Sequence, residues 1–359
     1  MASFRETREA LLLAFDQNLI NDEEFVLLYD LNRSKNPDYP YWNYERFDLD
    51  KWTDAECKTE LRFYKADVYR LADALNIPEQ IYASNRSKFD GMEAFCVFLK
   101  RFSYPNRQPD LIPRFGRAVP ELSMMSTLVQ THIYTTYNHL LHDFNHPWLT
   151  PAALQEYSTA VHEKGAPLQN CFAFIDGTVR PLCKPGQYQR VLFNGHKRVH
   201  AIKFQSVVTP NGLISNLHGP VEGKRHDSGM LAQSGLLPQL QQFAHKPNGE
   251  PVCIYGDDAY PLQVHLQGPF KGNRTPQQDA FNTAMSNVRV SVEWLFKEIT
   301  TYFAFLDFKK NLKIGLSAVG KMYIVCALMT NARTCLYSSQ TSDYFGINPP
   351  MLEDYFYQN

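Results

Sequence analysis

Apolar and polar positions follow two different rhythms on either side of residue 165. Before it, apolar residues recur at three- and four-residue spacing over 5–32, 60–75, 91–102 and 121–144, which predicts amphipathic helices. Pro37, Pro40, Pro105, Pro109, Pro113, Pro147 and Pro151 fall between them, where a fixed φ and a missing N–H end helices. After residue 165 the apolar runs are short and rich in strand formers: 171–179 (CFAFIDGTV) and 201–209 (AIKFQSVVT). Pro210-Asn211-Gly212 predicts a hairpin turn into a further strand over 213–217. Asp227-Ser228 reads as an N-cap opening a helix through 243. Another strand, 251–255 (PVCIY), ends at Gly256-Asp257-Asp258, and helical patterns follow over 279–302 and 314–337. Three strands, a helix, a further strand and then helices describe a mixed α/β domain. The expected organisation is an acidic helical extension over 1–60, a helical domain over 61–164, an α/β domain over 165–338 and a tail over 339–359.

Composition supports folded units rather than disorder. The 359 residues are 44% hydrophobic and 13% aromatic, ample for a packed core. Seven cysteines are scattered without a C-x-x-C pair, so reduced buried thiols are expected rather than a disulfide framework or a closed zinc site. MASFRETREA carries charge where a secretory signal needs an apolar stretch, and no apolar run approaches the roughly 20 residues of a membrane span. A protein of the nucleus or cytosol, with no membrane partner, is expected.

Charge changes the picture once it is read by region. The formal net charge is -1, which disfavours a uniformly basic nucleic-acid protein. Yet residues 1–60 hold 14 acidic and 7 basic side chains, so the remainder is about +6. No carboxylate falls between Gly177 and Val221, where Arg180, Lys184, Arg190, Lys197, Arg198 and Lys203 lie with three histidines. A solvated strand face and a basic strip beside an anionic substrate both fit this stretch.

Three carboxylates sit at the borders of predicted core. Asp176 ends the run Phe172-Ala173-Phe174-Ile175, Asp257 ends the later strand, and Glu293 falls mid-helix beside the apolar side marked by Val288, Val292, Leu295 and Phe296. Carboxylates there are costly unless compensated. Converging from separate elements, they would share divalent cations, as two-metal phosphodiester hydrolysis requires. One ion activates the attacking group, the other stabilises the leaving oxygen, and oxygen ligands suit Mg²⁺ or Mn²⁺. Ordinary alternatives stay open: a turn residue at Asp176, a cap at Asp257-Asp258, and a pair between Glu293 and Arg289 or Lys297.

Five blocks carry a resemblance: FIDGT (174–178), FNGHKRVHAIKFQSVVTPNG (193–212), GPVEGKRHDS (219–228), YGDDAYPL (255–262) and FNTAMSNVRVSVEWLF (281–296). In this order they resemble the DDE transposase domain of the PIF/Harbinger superfamily. The resemblance covers roughly 165–335 and implies an RNase H-like fold, a mixed sheet flanked by helices. It implies Asp176, Asp257 and Glu293 as catalytic and metal-binding residues, the last two separated by 35 residues. Asp258 stands where the family carries a small residue, so it is a further candidate ligand. Asp227 in the His226-Asp227 pair is another, read first as a helix cap.

The resemblance also implies partners: DNA, as terminal inverted repeats and target, and a Myb/SANT-like protein supplying DNA binding or nuclear entry. Lys197, Arg198, Lys203 and Arg289 are candidate phosphate contacts, with holding the Glu293 rotamer as the other role for Arg289. Ahead of the catalytic domain, 110–116 and the helix from Glu121 resemble a helix-turn-helix. That helix contains no Lys or Arg, so a purely structural bundle fits as well. Arg101, Arg107, Arg114 and Arg117 would be its phosphate contacts. The acidic first 60 residues are expected to pack on the chain or to mediate homo-oligomerisation. A metal-dependent nuclease or transposase is the first reading. A host-adopted DNA-binding or scaffold protein of the same descent, without cleavage, is the alternative.

Overall fold

The structure is a computed structural model and describes residues 4–31 and 39–357. Asn32, the end of the first predicted helix, and Pro37 lie outside these residues. The α/β part has a six-stranded sheet, with β1 (Cys171–Pro181), β2 (Val199–Val208), β3 (Ile214–Glu222), β4 (Cys253–Tyr255) and β5 (Leu266–Gln267), and the two-residue strand Phe193–Asn194 paired to the start of β2. Their order across the sheet is β3-β2-β1-β4-β5. β2 is antiparallel to both β1 and β3, whereas β4 runs parallel to β1 and β5 parallel to β4. The β2–β3 turn forms as predicted, with Thr209 N–H donating to the Leu213 carbonyl (3.1 Å).

β1 is the central strand, and its first five residues are buried because helices cover both faces. Strand periodicity then sorts its side chains. Phe174 joins the core shared with Val292, Leu295 and Tyr255, while Ala173 and Ile175 face a second core with Leu154, Tyr157 and Leu240. The helix Pro151–Glu163, absent from the sequence expectation, packs on β1. It begins at Thr150, whose hydroxyl accepts from Ala153 N–H (3.2 Å), with proline at its first position.

Two predicted helices are interrupted and a third is shortened. The segment 227–243 divides into Asp227–Ser234 and Leu236–Phe243 around Gly235, which takes a left-handed conformation (φ 65°) that favours glycine. The segment 279–302 divides into Pro276–Arg289 and Ser291–Tyr302. There the buried Ser291 hydroxyl donates to the Val288 carbonyl (2.9 Å), and the Ser291 carbonyl accepts from Thr341 Oγ1 (3.2 Å). Such side-chain bonds compete with the helical ladder. The last long helix starts at Val319, not 314, and runs to Tyr337.

The helical region ahead of the sheet shares its core. Val119–Tyr137 packs against Gly91–Ser103 and against Val319–Tyr337, and a single apolar cluster runs from Leu49 to Phe356. Residues 339–359, expected as a tail, instead contribute the helices Gln340–Phe345 and Leu352–Phe356, with Phe345 stacked on Phe174 at 6.4 Å. The cysteines are free, as expected, and among the described residues no helix is long and apolar enough to cross a membrane.

Asn331 fastens these layers. Its buried amide accepts from Ile214 N–H (2.9 Å) and donates to the Ile214 carbonyl (2.9 Å) and to the Tyr355 hydroxyl (2.7 Å). Replacing it leaves buried backbone groups at the start of β3 without partners. Asn331→Ala is expected to lower stability by about 2–4 kcal/mol, measured by urea unfolding. A loss below about 0.5 kcal/mol would mean the clamp is dispensable.

Candidate active site

β1 and β4 are adjacent and parallel, and Phe174 is aligned with Tyr255. Asp176 and Asp257 each follow that aligned pair by two residues, so both carboxylates emerge at one level of the sheet, on strands about 4.8 Å apart. Asp176 shares the face of Phe174, directed toward the helix Ser291–Tyr302. Its Oδ1 accepts from the Gly177 N–H (2.8 Å), and its Oδ2 lies 3.5 Å from Arg289 Nη1. Arg289 Nη2 in turn stands 4.0 Å from Glu293 Oε1. The guanidinium therefore lies between the two acids, which favours the holding role over free phosphate contact.

Gly177 faces the opposite side of β1. There a Cβ would stand 2.7 Å from Asp227 Oδ1, so glycine is what admits the Asp227 carboxylate. Asp227 is not the cap of its helix: His226 occupies that position without a capping side-chain bond, and Asp227 is the first helical residue. Its Oδ1 pairs instead with Lys203 Nζ at 2.5 Å, and the same ammonium donates to the Arg225 carbonyl (2.9 Å). Lys203 is only 8% exposed at the side chain. The structure thus engages this ammonium inside the fold, bonded twice.

Asp176, Asp257, Asp227 and Lys203 line one cleft of about 760 Å³, together with Lys197. Burial pushes the Asp176 carboxyl up to about 6, partly opposed by Arg289, with Asp257 and Glu293 adding a small push upward. Burial likewise raises Asp257, against the hydrogen bond its Oδ1 accepts from Ala259 N–H (3.0 Å). Tyr260 is buried beside Asp176, Asp227 and Asp257, and desolvation with these carboxylates pushes its hydroxyl well up. Sequence reasoning passed over this tyrosine, whose only signal was its place in YGDDAYPL.

Glu293 is not mid-helix but in the first turn of Ser291–Tyr302, and its side chain is 60% exposed. It does not line the cleft that Asp176 and Asp257 share. Asp258 is exposed, and its backbone carbonyl accepts from Lys271 Nζ (2.5 Å). Carboxylate oxygens are the right donors for a hard divalent cation, and the raised carboxyls of Asp176 and Asp257 mark incompletely compensated charge. Among the described residues, however, no three His, Cys, Asp or Glu side chains stand close enough together to hold a metal ion.

The basic candidates divide by burial. Lys197 lines the cleft and is exposed, as is the adjacent Arg198, and both stand outside any ion pair among the described residues. Arg117 is committed to Glu93, with Nη2–Oε2 at 2.6 Å and Nε–Oε1 at 2.9 Å, and its side chain is 18% exposed. Arg114 lies 3.5 Å from Glu60 and over the Trp52 ring. Arg101 is half-buried against Phe305 and donates to the Asn106 carbonyl, whereas Arg107 is exposed. Ahead of Val119–Tyr137 stand the 3₁₀ turn Gln108–Leu111 and the single α-helical turn Ile112–Phe115. The exposed side of the long helix carries Thr127, Thr131 and Thr135, each bonded back to the carbonyl four residues earlier.

A carboxyl raised by burial has a stability consequence. Between the ordinary carboxylate range and about 6, the folded protein binds more protons at Asp176 than the unfolded chain does, so stability falls as pH rises through that window. In chelator, Asp176→Asn is therefore expected to match the parent near about pH 4 and to exceed it by on the order of 2 kcal/mol near about pH 7. Denaturant unfolding across that range tests this. A constant difference would show that Arg289 fully compensates the buried charge.

No curated protein and no solved structure matches the chain. Residues 175–331 match the family described as DDE superfamily endonuclease, a span that holds Asp176, Asp257 and Glu293 and supports a DDE transposase-type nuclease domain on this sheet.

Proposed function

We propose that the chain is a Harbinger-type DDE nuclease with an RNase H-like catalytic domain, acting on DNA phosphodiesters. The observation that carries this reading is the placement of Asp176 and Asp257 at one level of adjacent parallel strands, in a β3-β2-β1-β4-β5 sheet whose first three strands are antiparallel. The match over 175–331 and the ordered sequence blocks support the same reading. Asp176, Asp257 and Glu293 are the residues that would hold Mg²⁺ or Mn²⁺, with Asp227 or Asp258 as further oxygen donors. Such ions supply Lewis-acid activation of the nucleophile and charge stabilisation at the leaving oxygen.

The chain's own side chains have separate tasks. Lys197 and Arg198, exposed at the cleft, contact phosphates and orient the strand. Lys203 neutralises Asp227 and keeps it against Gly177. Arg289 steadies Asp176 and Glu293 from between them. The DNA is terminal inverted repeats cut and joined to a target, in the nucleus, with a Myb/SANT-like protein as accessory. The long helix Val119–Tyr137 contributes hydroxyls rather than cations if the region ahead of the sheet touches DNA.

A second reading is a DNA-binding protein of the same descent that no longer cuts. It draws on one observation, the stand-off of Glu293 from the cleft behind Arg289. Cleavage of terminal-repeat DNA by the purified protein in Mn²⁺ separates the two. Strand nicking is expected. Asp176→Asn, Asp257→Asn and Glu293→Gln should each reduce it at least about a hundredfold while DNA binding persists. Binding without cleavage would favour the second reading, and an undiminished Asp176→Asn would remove the site.

A further inference from the structure

Between β1 and β2 the chain leaves the sheet as an arm over residues 183–198. Its base is closed by Leu182 N–H donating to the His200 carbonyl (2.8 Å) and by Cys183 N–H donating to the Leu312 carbonyl (3.1 Å). Phe193–Asn194 returns antiparallel to the start of β2. Buried Asn194 fixes the return: its amide donates to the Gly223 carbonyl (2.7 Å) and its Oδ1 accepts from Lys197 N–H (2.8 Å). The arm is thus anchored at its root, beside the cleft that Asp176 and Asp257 line.

What the anchored arm shows to solvent is unusual in kind. Tyr188 is 74% exposed and Phe193 is 42% exposed, the latter edge-on to His200. Around them Lys184, Arg190, Lys197 and Arg198 are all exposed, and the arm contains no carboxylate. Tyr188 also holds a left-handed backbone (φ 58°), as does Arg198 (φ 53°). That conformation costs a non-glycine residue on the order of 1 kcal/mol and persists only where the surroundings impose it. A solitary exposed ring would need no explanation. Two rings held out on a strained, cationic, carboxylate-free arm do.

We propose that this arm is a stacking platform for unpaired nucleotides. Its cations engage the phosphates of a single strand, and Tyr188, assisted by Phe193, stacks an unstacked base next to the carboxylate cleft. A polyanion bearing planar rings satisfies both features at once: each base has a π-face for the aromatic ring, and each phosphate meets a Lys or Arg. The inference rests on the nuclease reading above and adds to it that the strand end is melted, not held as intact duplex, where it enters the cleft.

Binding without cleavage tests it. A duplex oligonucleotide with a single-stranded 3′ tail of about ten nucleotides, carrying 2-aminopurine in the tail, is compared with the blunt duplex by fluorescence anisotropy in Ca²⁺. The parent protein is expected to prefer the tailed DNA about tenfold and to quench the 2-aminopurine. Tyr188→Ala should abolish both effects while changing blunt-duplex affinity less than about twofold, and Tyr188→Trp should restore them. Equal affinity of the parent for the two DNAs, or a Tyr188→Ala protein that keeps the preference, overturns the proposal. If such a protein still nicks DNA in Mn²⁺, the platform alone fails. If instead the parent binds neither DNA, the nuclease reading fails with it.

Discussion

A carboxylate on the central strand of a covered sheet must be compensated, and much of the α/β part is arranged around that requirement. Asp176 follows four core residues and sits largely out of water, where an isolated charge is expensive. The backbone N–H of Gly177 and the guanidinium of Arg289 provide the compensation, and burial still leaves the carboxyl raised to about 6. Arg289 reaches Asp176 from the last residue of its helix. The hydrogen bonds of Ser291 break the helical ladder there and start Ser291–Tyr302 as a separate helix.

The same sheet separates two electrostatic environments. On one face of β1, Asp176 meets Arg289 and Glu293. On the other, Gly177 leaves room for Asp227, which is neutralised by Lys203. Asp257, beyond the end of β4, lies where both fields are felt: Asp227 pushes its carboxyl up and Arg289 pulls it down. The cleft is consequently acidic at its floor and basic at its rim. Lys197 stands exposed at that rim and Arg198 next to it in the chain, on an arm whose root is fixed by Asn194. A polyanion approaching the carboxylates first meets cations, the arrangement that lets an acidic site receive a phosphodiester.

The near-neutral total charge conceals this layout. Its acidic excess lies in the first 60 residues, and the basic remainder includes the strip from Gly177 to Val221. Part of that strip is structural. Lys203 is buried with Asp227, and Arg180 donates to the Phe296 carbonyl (3.1 Å) over the Tyr323 ring, tying β1 to the Glu293 helix. Composition counts these cations with the exposed ones, although only exposure leaves a charge free for a partner.

Local patterning determined a good deal on its own. Apolar runs and the Pro-Asn-Gly turn placed β1 to β4, and three-to-four spacing placed Gly91–Ser103 and the body of Val119–Tyr137. The carboxylates ending two apolar runs could be picked out because a charge beside a core is conspicuous in any register. Tertiary structure decided what local signals do not carry. It broke the helices at Gly235 and Val290, drew residues 339–357 into the core, and paired Arg117 with Glu93. It also set Asp176 and Asp227 on opposite faces of one strand and left Glu293 exposed behind Arg289. Periodicity is a property of near neighbours in the chain. The partner of a charge and the face it occupies depend on residues a hundred positions away, and folding alone brings those together.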